Sequence, residues 1–240
     1  MFYHHGAMRR EYHDEIGYRT AERIIAVSKL VEQKLRAFRP KYADKMMTLH
    51  NLTDVESIRE KGAEPIPEVF HREKFNIVSC GRISHEKGMD LAVEACAELV
   101  SMGCEDVHWW IVGGGPAEKE VCDKIAELHM ENHVTMLGMK ENPYPYIRLA
   151  DLYVQPSRYE SYGLTIAEAM VLERKIVSTD TDGAKELICN GENGMLCAKD
   201  ARSIANSVRK TLKYSMKKKG IQTDIRTKNQ IVLEQLKELL

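Results

Sequence analysis

The chain has 240 residues, of which 43% are hydrophobic and 30% charged, enough for one sizeable core or for one full domain with part of another. Its 35 basic and 36 acidic side chains nearly cancel, which argues against a chain that wraps nucleic acid. No apolar run approaches the roughly 20 residues that span a bilayer, and the N-terminus lacks a signal pattern. In chain order, His4-His5 belongs to a disordered or surface N-terminus. A helix, a strand and a helix follow. Residues 24–27 (IIAV) form a short buried strand, and Ser28 caps an amphipathic helix carrying Leu30, Val31, Lys34 and Leu35. Residues 46–49 (MMTL) form another buried strand that ends at His50-Asn51. The Pro-containing stretch 62–67 reads as a linker and sets the domain boundary. The expected division is 1–62, a linker at 63–74, a main domain at 75–215 and a helical tail at 216–240.

Beyond the linker, strand-like runs at 75–80, 107–112, 134–137, 152–155 and 176–179 alternate with helical runs. Leu91, Ala95 and Leu99 share one helix face, and Val121, Ile125 and Leu128 another. Alternation of this kind predicts βαβ units and a parallel sheet, an α/β fold. Trp109-Trp110 falls on a strand and reads as core. The cysteines Cys80, Cys96, Cys104, Cys122, Cys189 and Cys197 form no CxxC pair. That argues against a zinc or redox motif and fits free thiols in a reducing, cytoplasmic compartment.

Ligands of parallel α/β sheets sit at the C-terminal ends of the strands. Here those ends carry Gly81-Arg82 with Lys87-Gly88, then Gly113-Gly114-Gly115, then Gly138, then a stretch from Pro156 to Gly163, and finally 179–183. Glycine and charge at five ends on one edge predict a polar crevice. Arg82 and Lys87 suit a diphosphate leaving group, one as a planar fork and one as a mobile point charge; the alternative is ordinary surface charge. A helix beginning near Gly163 offers free N–H groups and a positive dipole end to an anion, and the Thr165 hydroxyl adds a donor. Glu168 lies about 7.5 Å farther along that helix, within reach of a ribose when phosphates sit at the helix end. Glu160 can accept from sugar hydroxyls. The plainer readings are a first-turn acid for Glu160 and a solvent-facing acid for Glu168. His85 reads as a solvent-facing loop residue.

The segments GRISHEKG (81–88), VGGGP (112–116), ADLYVQPSRYESYGLTIAEAM (150–170) and TDTDGAKELICNGENGMLC (179–197) resemble the retaining glycosyltransferases of family 4. These have the two-lobed GT-B fold, and AERIIAVS (21–28) is similar to the last βα unit of their N-terminal lobe. The likeness runs over roughly residues 20–215. It implies a Rossmann-like lobe for a nucleoside-diphosphate sugar, used as co-substrate with no separate cofactor and no metal. It assigns Glu160, Arg82 and Lys87 to catalysis. Donor binding falls to Gly81, Arg82, Lys87, Gly114, Gly138, Met139, Glu160, Tyr162, Gly163, Leu164, Thr165 and Glu168. Within that set Arg82 and Lys87 hold the diphosphate, Glu160 the donor sugar and Glu168 the ribose, with Gly138 and Met139 beside the base. The acceptor is a carbohydrate or a lipid-linked sugar, and no nucleic-acid partner is implied.

Two departures stand out. Asp182-Gly183 replaces two glycines ahead of Glu186, which alters the expected loop. Most of the N-terminal lobe is also missing, since only 62 residues precede the linker. The strands at 24–27 and 46–49 are therefore expected to expose apolar faces. This favours self-association or a missing partner chain, with donor binding but slow or absent transfer. The rival is a nucleotide-sugar-binding module, or the donor half of a split enzyme. A phosphorylase or epimerase on the same architecture fits the glutamate pair and its context less well. The basic run at 216–219 reads as a solvated helix end, with contact at an anionic inner membrane surface as the second reading. The C-terminal helix carrying Val232, Leu236 and Leu239 is expected to return to the N-terminal lobe.

Overall fold

A computed structural model describes residues 2–4, 15–66, 70, 73–213 and 221–239. Two parallel sheets share them, one of three strands and one of six. The small sheet runs β1 (Phe2–His4), β2 (Ile24–Ala26), β3 (Met46–Thr48) in that order. Around it lie α1 (Glu15–Thr20), α2 (Lys29–Phe38) and a 3-10 turn (Pro40–Lys45), while α3 (Val55–Gly62) buries Val55 and Ile58 in a core of the six-stranded sheet. Ser28 caps α2 as expected: its backbone is extended and its Oγ accepts the Val31 N–H at 3.3 Å. The Asp54 carboxylate caps α3 by accepting the Ser57 N–H at 3.0 Å.

Side chains on a strand alternate between faces, so Ile24 and Ala26 join Val31, Leu35, Tyr42 and Met46 on one side of β2. Ile25 meets Leu49 and Val232 on the other. The expectation of open apolar faces here is corrected. Residues 24–27 and Leu49 are all at most 3% exposed, because α2 covers one face and the C-terminal helix α10 (Ile221–Leu239) covers the other. The disordered N-terminus is corrected as well at Phe2–His4, which pair in parallel with β2. His5 lies outside the described residues.

The large sheet is built from β4 (Phe75–Cys80), α4 (Met89–Ser101), β5 (Val107–Val112), α5 (Glu118–Glu127), β6 (Val134–Gly138) and α6 (Tyr144–Leu149). It continues through β7 (Leu152–Gln155), α7 (Leu164–Val171), β8 (Lys175–Thr179), α8 (Asp182–Leu187), β9 (Met195–Cys197) and α9 (Ala201–Lys213). All pairings are parallel, in the order β6-β5-β4-β7-β8-β9. The order reverses between β4 and β7, which opens a crevice at their C-terminal ends. The expected strands are present; β9 is an addition. A core lies on each face: Ile77, Trp109, Ile111 and Val154 on one, Val78, Trp110, Tyr153 and Met170 on the other. The two buried indole N–H groups donate to Ser79 Oγ (3.0 Å) and Asn76 Oδ1 (2.9 Å).

Helix α10 ties the two sheets together. Ile225 is buried in a core of the large sheet and Val232 in the small one. Between them Asn229 exchanges hydrogen bonds with the backbone of Thr53. Among the described residues no helix is long and apolar enough to cross a membrane. The basic run at 216–219 lies outside them.

Candidate donor site

At the switch point the loops after β4 and β7 touch backbone to backbone. Gly88 is left-handed (φ 65°), and a Cβ there would lie 2.2 Å from the Pro156 carbonyl oxygen. Residue 88 therefore has to be glycine for both conformational and steric reasons. Arg158 fastens the two loops further. Its guanidinium grips both oxygens of Asp90 (2.7 and 2.6 Å) and donates to the His85 carbonyl, while its N–H donates to Glu86 O. Burial pushes the Asp90 carboxyl up, but the Arg158 fork outweighs it and holds the pKa below the usual range. His85 is exposed, as expected.

This clamp sets Lys87 opposite Glu160, with Nζ 2.5 Å from Oε2 and both side chains at most a quarter exposed. Three residues on, Gly163 adopts φ 92° and starts α7. Ile166 and Ala167 both donate to Gly163 O, so the N–H groups of Leu164 and Thr165 precede the helical ladder and face the site as donors. The Thr165 hydroxyl spends its one proton on Gln155 Oε1 (2.9 Å), inside a buried network with Tyr153 and Ser157. Its contribution to an anion is thus the backbone N–H. Leu164 is 45% exposed at the mouth.

Glu168 sits one turn deeper in α7. Burial lifts its carboxyl to about 7, against the lowering effects of the Tyr144 hydroxyl (3.3 Å) and of Lys87. It is therefore not the solvent-facing acid of the plainer reading. Tyr144 is itself pushed to about 12 by burial and by Glu168. After β6, a Cβ at Gly114 would lie 3.5 Å from Met139 Cβ, and Met139 is 82% exposed just beyond Gly138.

Helix α8 packs on the backbone of residues 160–162. The Gly183 N–H donates to Glu160 O (2.8 Å), and a Cβ at Gly183 would come within 2.5 Å of the Tyr162 backbone. The Asp182-Gly183 departure is thereby accommodated: the glycine stands at the crowded position, and Asp182 turns outward to an ion pair with Lys34. Glu186 lies 2.9 Å from His50 Nε2. Burial raises the Glu186 carboxyl, yet His50 and the Lys29 N–H together hold it below its ordinary range.

The structure thus gathers Lys87, Glu160, Tyr162, Gly163, Leu164, Thr165 and Glu168 around one crevice, with Gly81, Gly114, Gly138 and Met139 along its other wall. Arg82 lies on the β4 loop but is exposed, and it makes no side-chain hydrogen bond or ion pair among the described residues. Sequence reasoning missed Tyr144, His50 and the Arg158–Asp90 clamp. Among the described residues no cluster of three or more His, Cys, Asp or Glu side chains could hold a metal ion.

The family model for glycosyl transferases group 1 matches residues 62–229. The chain is 35% identical over 122 residues to alpha-D-kanosaminyltransferase of Streptomyces kanamyceticus, covering 50% of this chain and 31% of that protein. It is 34% identical over 132 residues to the lipopolysaccharide core biosynthesis mannosyltransferase LpsB of Rhizobium meliloti, covering 51% and 37%. The chain thus spans well under half the length of these curated relatives. Among solved structures, Anabaena HepE in complex with UDP and glucose superposes with a TM-score of 0.78 at 21% identity, over 98% of this chain and 70% of HepE. A glycosyltransferase of Rickettsia africae gives 0.77 at 21%, over 99% and 68%. At these identities the likeness establishes the fold, which is the α/β GT-B type expected from the sequence.

Proposed function

Because the chain belongs to the glycosyl transferases of group 1, we propose that its β4–β7 crevice binds a nucleoside-diphosphate sugar whose sugar is passed to a carbohydrate or lipid-linked acceptor. The observation that carries this reading is the contact of Lys87 with Glu160 directly before the N-terminus of α7, with Glu168 one turn behind. In this reading Arg82, Lys87 and the N–H groups of Leu164 and Thr165 take the diphosphate. Lys87 has three N–H donors, so it can keep Glu160 and still reach a phosphate oxygen. Glu160 orients the sugar, Glu168 accepts from the ribose, and the base lies along Gly114, Gly138 and Met139. HepE, whose crystal form contains UDP and glucose, supports the ligand class.

Transfer breaks the bond between the anomeric carbon and the phosphate oxygen, and forms one from that carbon to the acceptor oxygen. The acceptor proton passes to the leaving phosphate. Negative charge grows on that phosphate, where two cations and a helix dipole await it; this reading needs no metal ion. Attack on the face the phosphate leaves gives retention. The second reading is a nucleotide-sugar-binding module that holds the same donor without transferring its sugar.

Calorimetry with uridine and guanosine diphosphates tests the assignment. Arg82→Ala and Lys87→Ala should each weaken binding about tenfold, as expected for loss of one charge-assisted contact, and a chelator should change nothing. Wild-type affinity in both variants would sink the diphosphate site. Strict magnesium dependence would remove the metal-free claim. Binding without turnover across mixed acceptors would select the module.

A further inference from the structure

The donor side chains described so far all belong to the large sheet and its connections. One residue reaches the same loop from the small sheet. We infer that His50 is a positioning residue for the donor-sugar loop at residues 160–163, an inference that rests on the proposed function. His50 follows β3, and its side chain is 16% exposed. Its ring stacks on that of Tyr162, with centroids 5.5 Å apart and planes 27° off parallel. Tyr162 is 3% exposed and stands between Glu160 and Gly163. Its backbone is pressed against Gly183, whose N–H holds Glu160 O. Any shift of the Tyr162 ring therefore carries the root of the sugar-binding carboxylate with it. His50 forms the wall that stops that shift.

The other edge of the ring is fixed too. Nε2 lies 2.9 Å from Glu186 Oε1. Glu186 also accepts from the Lys29 N–H at the start of α2, and its carbonyl accepts from Lys228 Nζ of α10. With Lys34 on Asp182, helix α8 is held by three elements that pack on or belong to the small sheet. The small sheet thereby fixes the geometry of a sugar site to which it supplies no ligand contact. Such a residue affects recognition of the sugar and leaves the nucleotide contacts of α7 and β6 alone.

The test uses the full chain and whichever pair it binds, UDP with UDP-glucose or GDP with GDP-mannose. Calorimetry gives the ratio of the two dissociation constants. In His50→Ala the ratio should shift about tenfold against the sugar nucleotide, with the plain diphosphate unchanged within about twofold. His50→Phe keeps the ring and His50→Gln keeps a donor for Glu186; each should restore part of the ratio. Should His50→Ala not fold, the Phe and Gln variants decide, each with a shift of about threefold. An unchanged ratio in the folded variants, or equal weakening of both ligands, overturns the inference alone. A wild-type chain that binds neither pair removes the proposed function, and the inference with it.

Discussion

The two sheets share a strand type and differ in how they are kept. The large sheet has strands of up to six residues, buried on both faces mainly by helices of its own βα units, with α3 and α10 added over one face. The small sheet has strands of three residues, and one of its faces is closed by α10. A sheet with its own helices can hold a site rigidly. A sheet that borrows a helix can be loosened without loss of the other. The proposed donor residues lie on the large one, and the small sheet reaches them at the margin, through His50.

The largest effect should come from breaking the large core. Trp109→Ala removes a fully buried indole that also bonds Ser79, and should cost about 3–5 kcal/mol in urea unfolding. Nucleotide binding should vanish over the same urea range. Continued protection of β2 and β3 amides in that variant would show that the small sheet stands alone, against the comparison.

Glu168 gives the next effect, through pH. Its carboxyl titrates near 7 in the folded chain, above its ordinary 4.5. Between those values the folded state binds more protons than the unfolded, so stability falls as pH rises through the window, by roughly 2–4 kcal/mol in all. Glu168→Gln should raise the unfolding free energy at pH 8 by that amount, and the two curves should meet near pH 4.5. Glu186 has the opposite sign. Its lowered pKa stabilises the fold above the normal carboxylate range, and that contribution is lost as pH falls through its folded value. Parallel pH curves for wild type and Glu168→Gln would contradict a buried, proton-holding site.

Val232→Ala should cost about 1–2 kcal/mol, and hydrogen exchange should show where. The amides of β2 and β3 should exchange faster while those of β4, β5 and β7 keep their rates. Uniform acceleration would mean that the two sheets unfold as one. The smallest effect belongs to Lys34→Ala. Its ion pair with Asp182 is well exposed, at 57% and 31%, and should be worth no more than about 0.5 kcal/mol in thermal unfolding.

The large sheet was legible because its strands are continuous apolar runs ended by glycine or charge, and a parallel topology sends every such end to one edge. β1 and β9, of three residues each, went unread. The site was legible as far as it is local: the turn at Gly163, the helix behind it and the loop bearing Lys87. The partners that complete it are separated in sequence by 136 residues for His50 and Glu186, 68 for Asp90 and Arg158, and 24 for Tyr144 and Glu168. Only the folded sheet order brings them together, so no spacing in the chain announces them. The expected bare faces of β2 and β3 failed for a related reason, since their cover comes from the far end of the chain.

Helix α10 carries a mechanical consequence. Ile225 and Val232 are seven residues apart, two turns and about 10.5 Å along the same side of the helix. Each is anchored in a different core. The helix is therefore an axle with one bearing in each sheet. Sliding the small sheet along it would pull Val232 from between Ile25 and Leu49 and break the Asn229–Thr53 pair, whereas turning about it would part His50 from Tyr162 and Glu186. Any swing of one sheet against the other is steered along an arc, and the His50 ring rides on that arc.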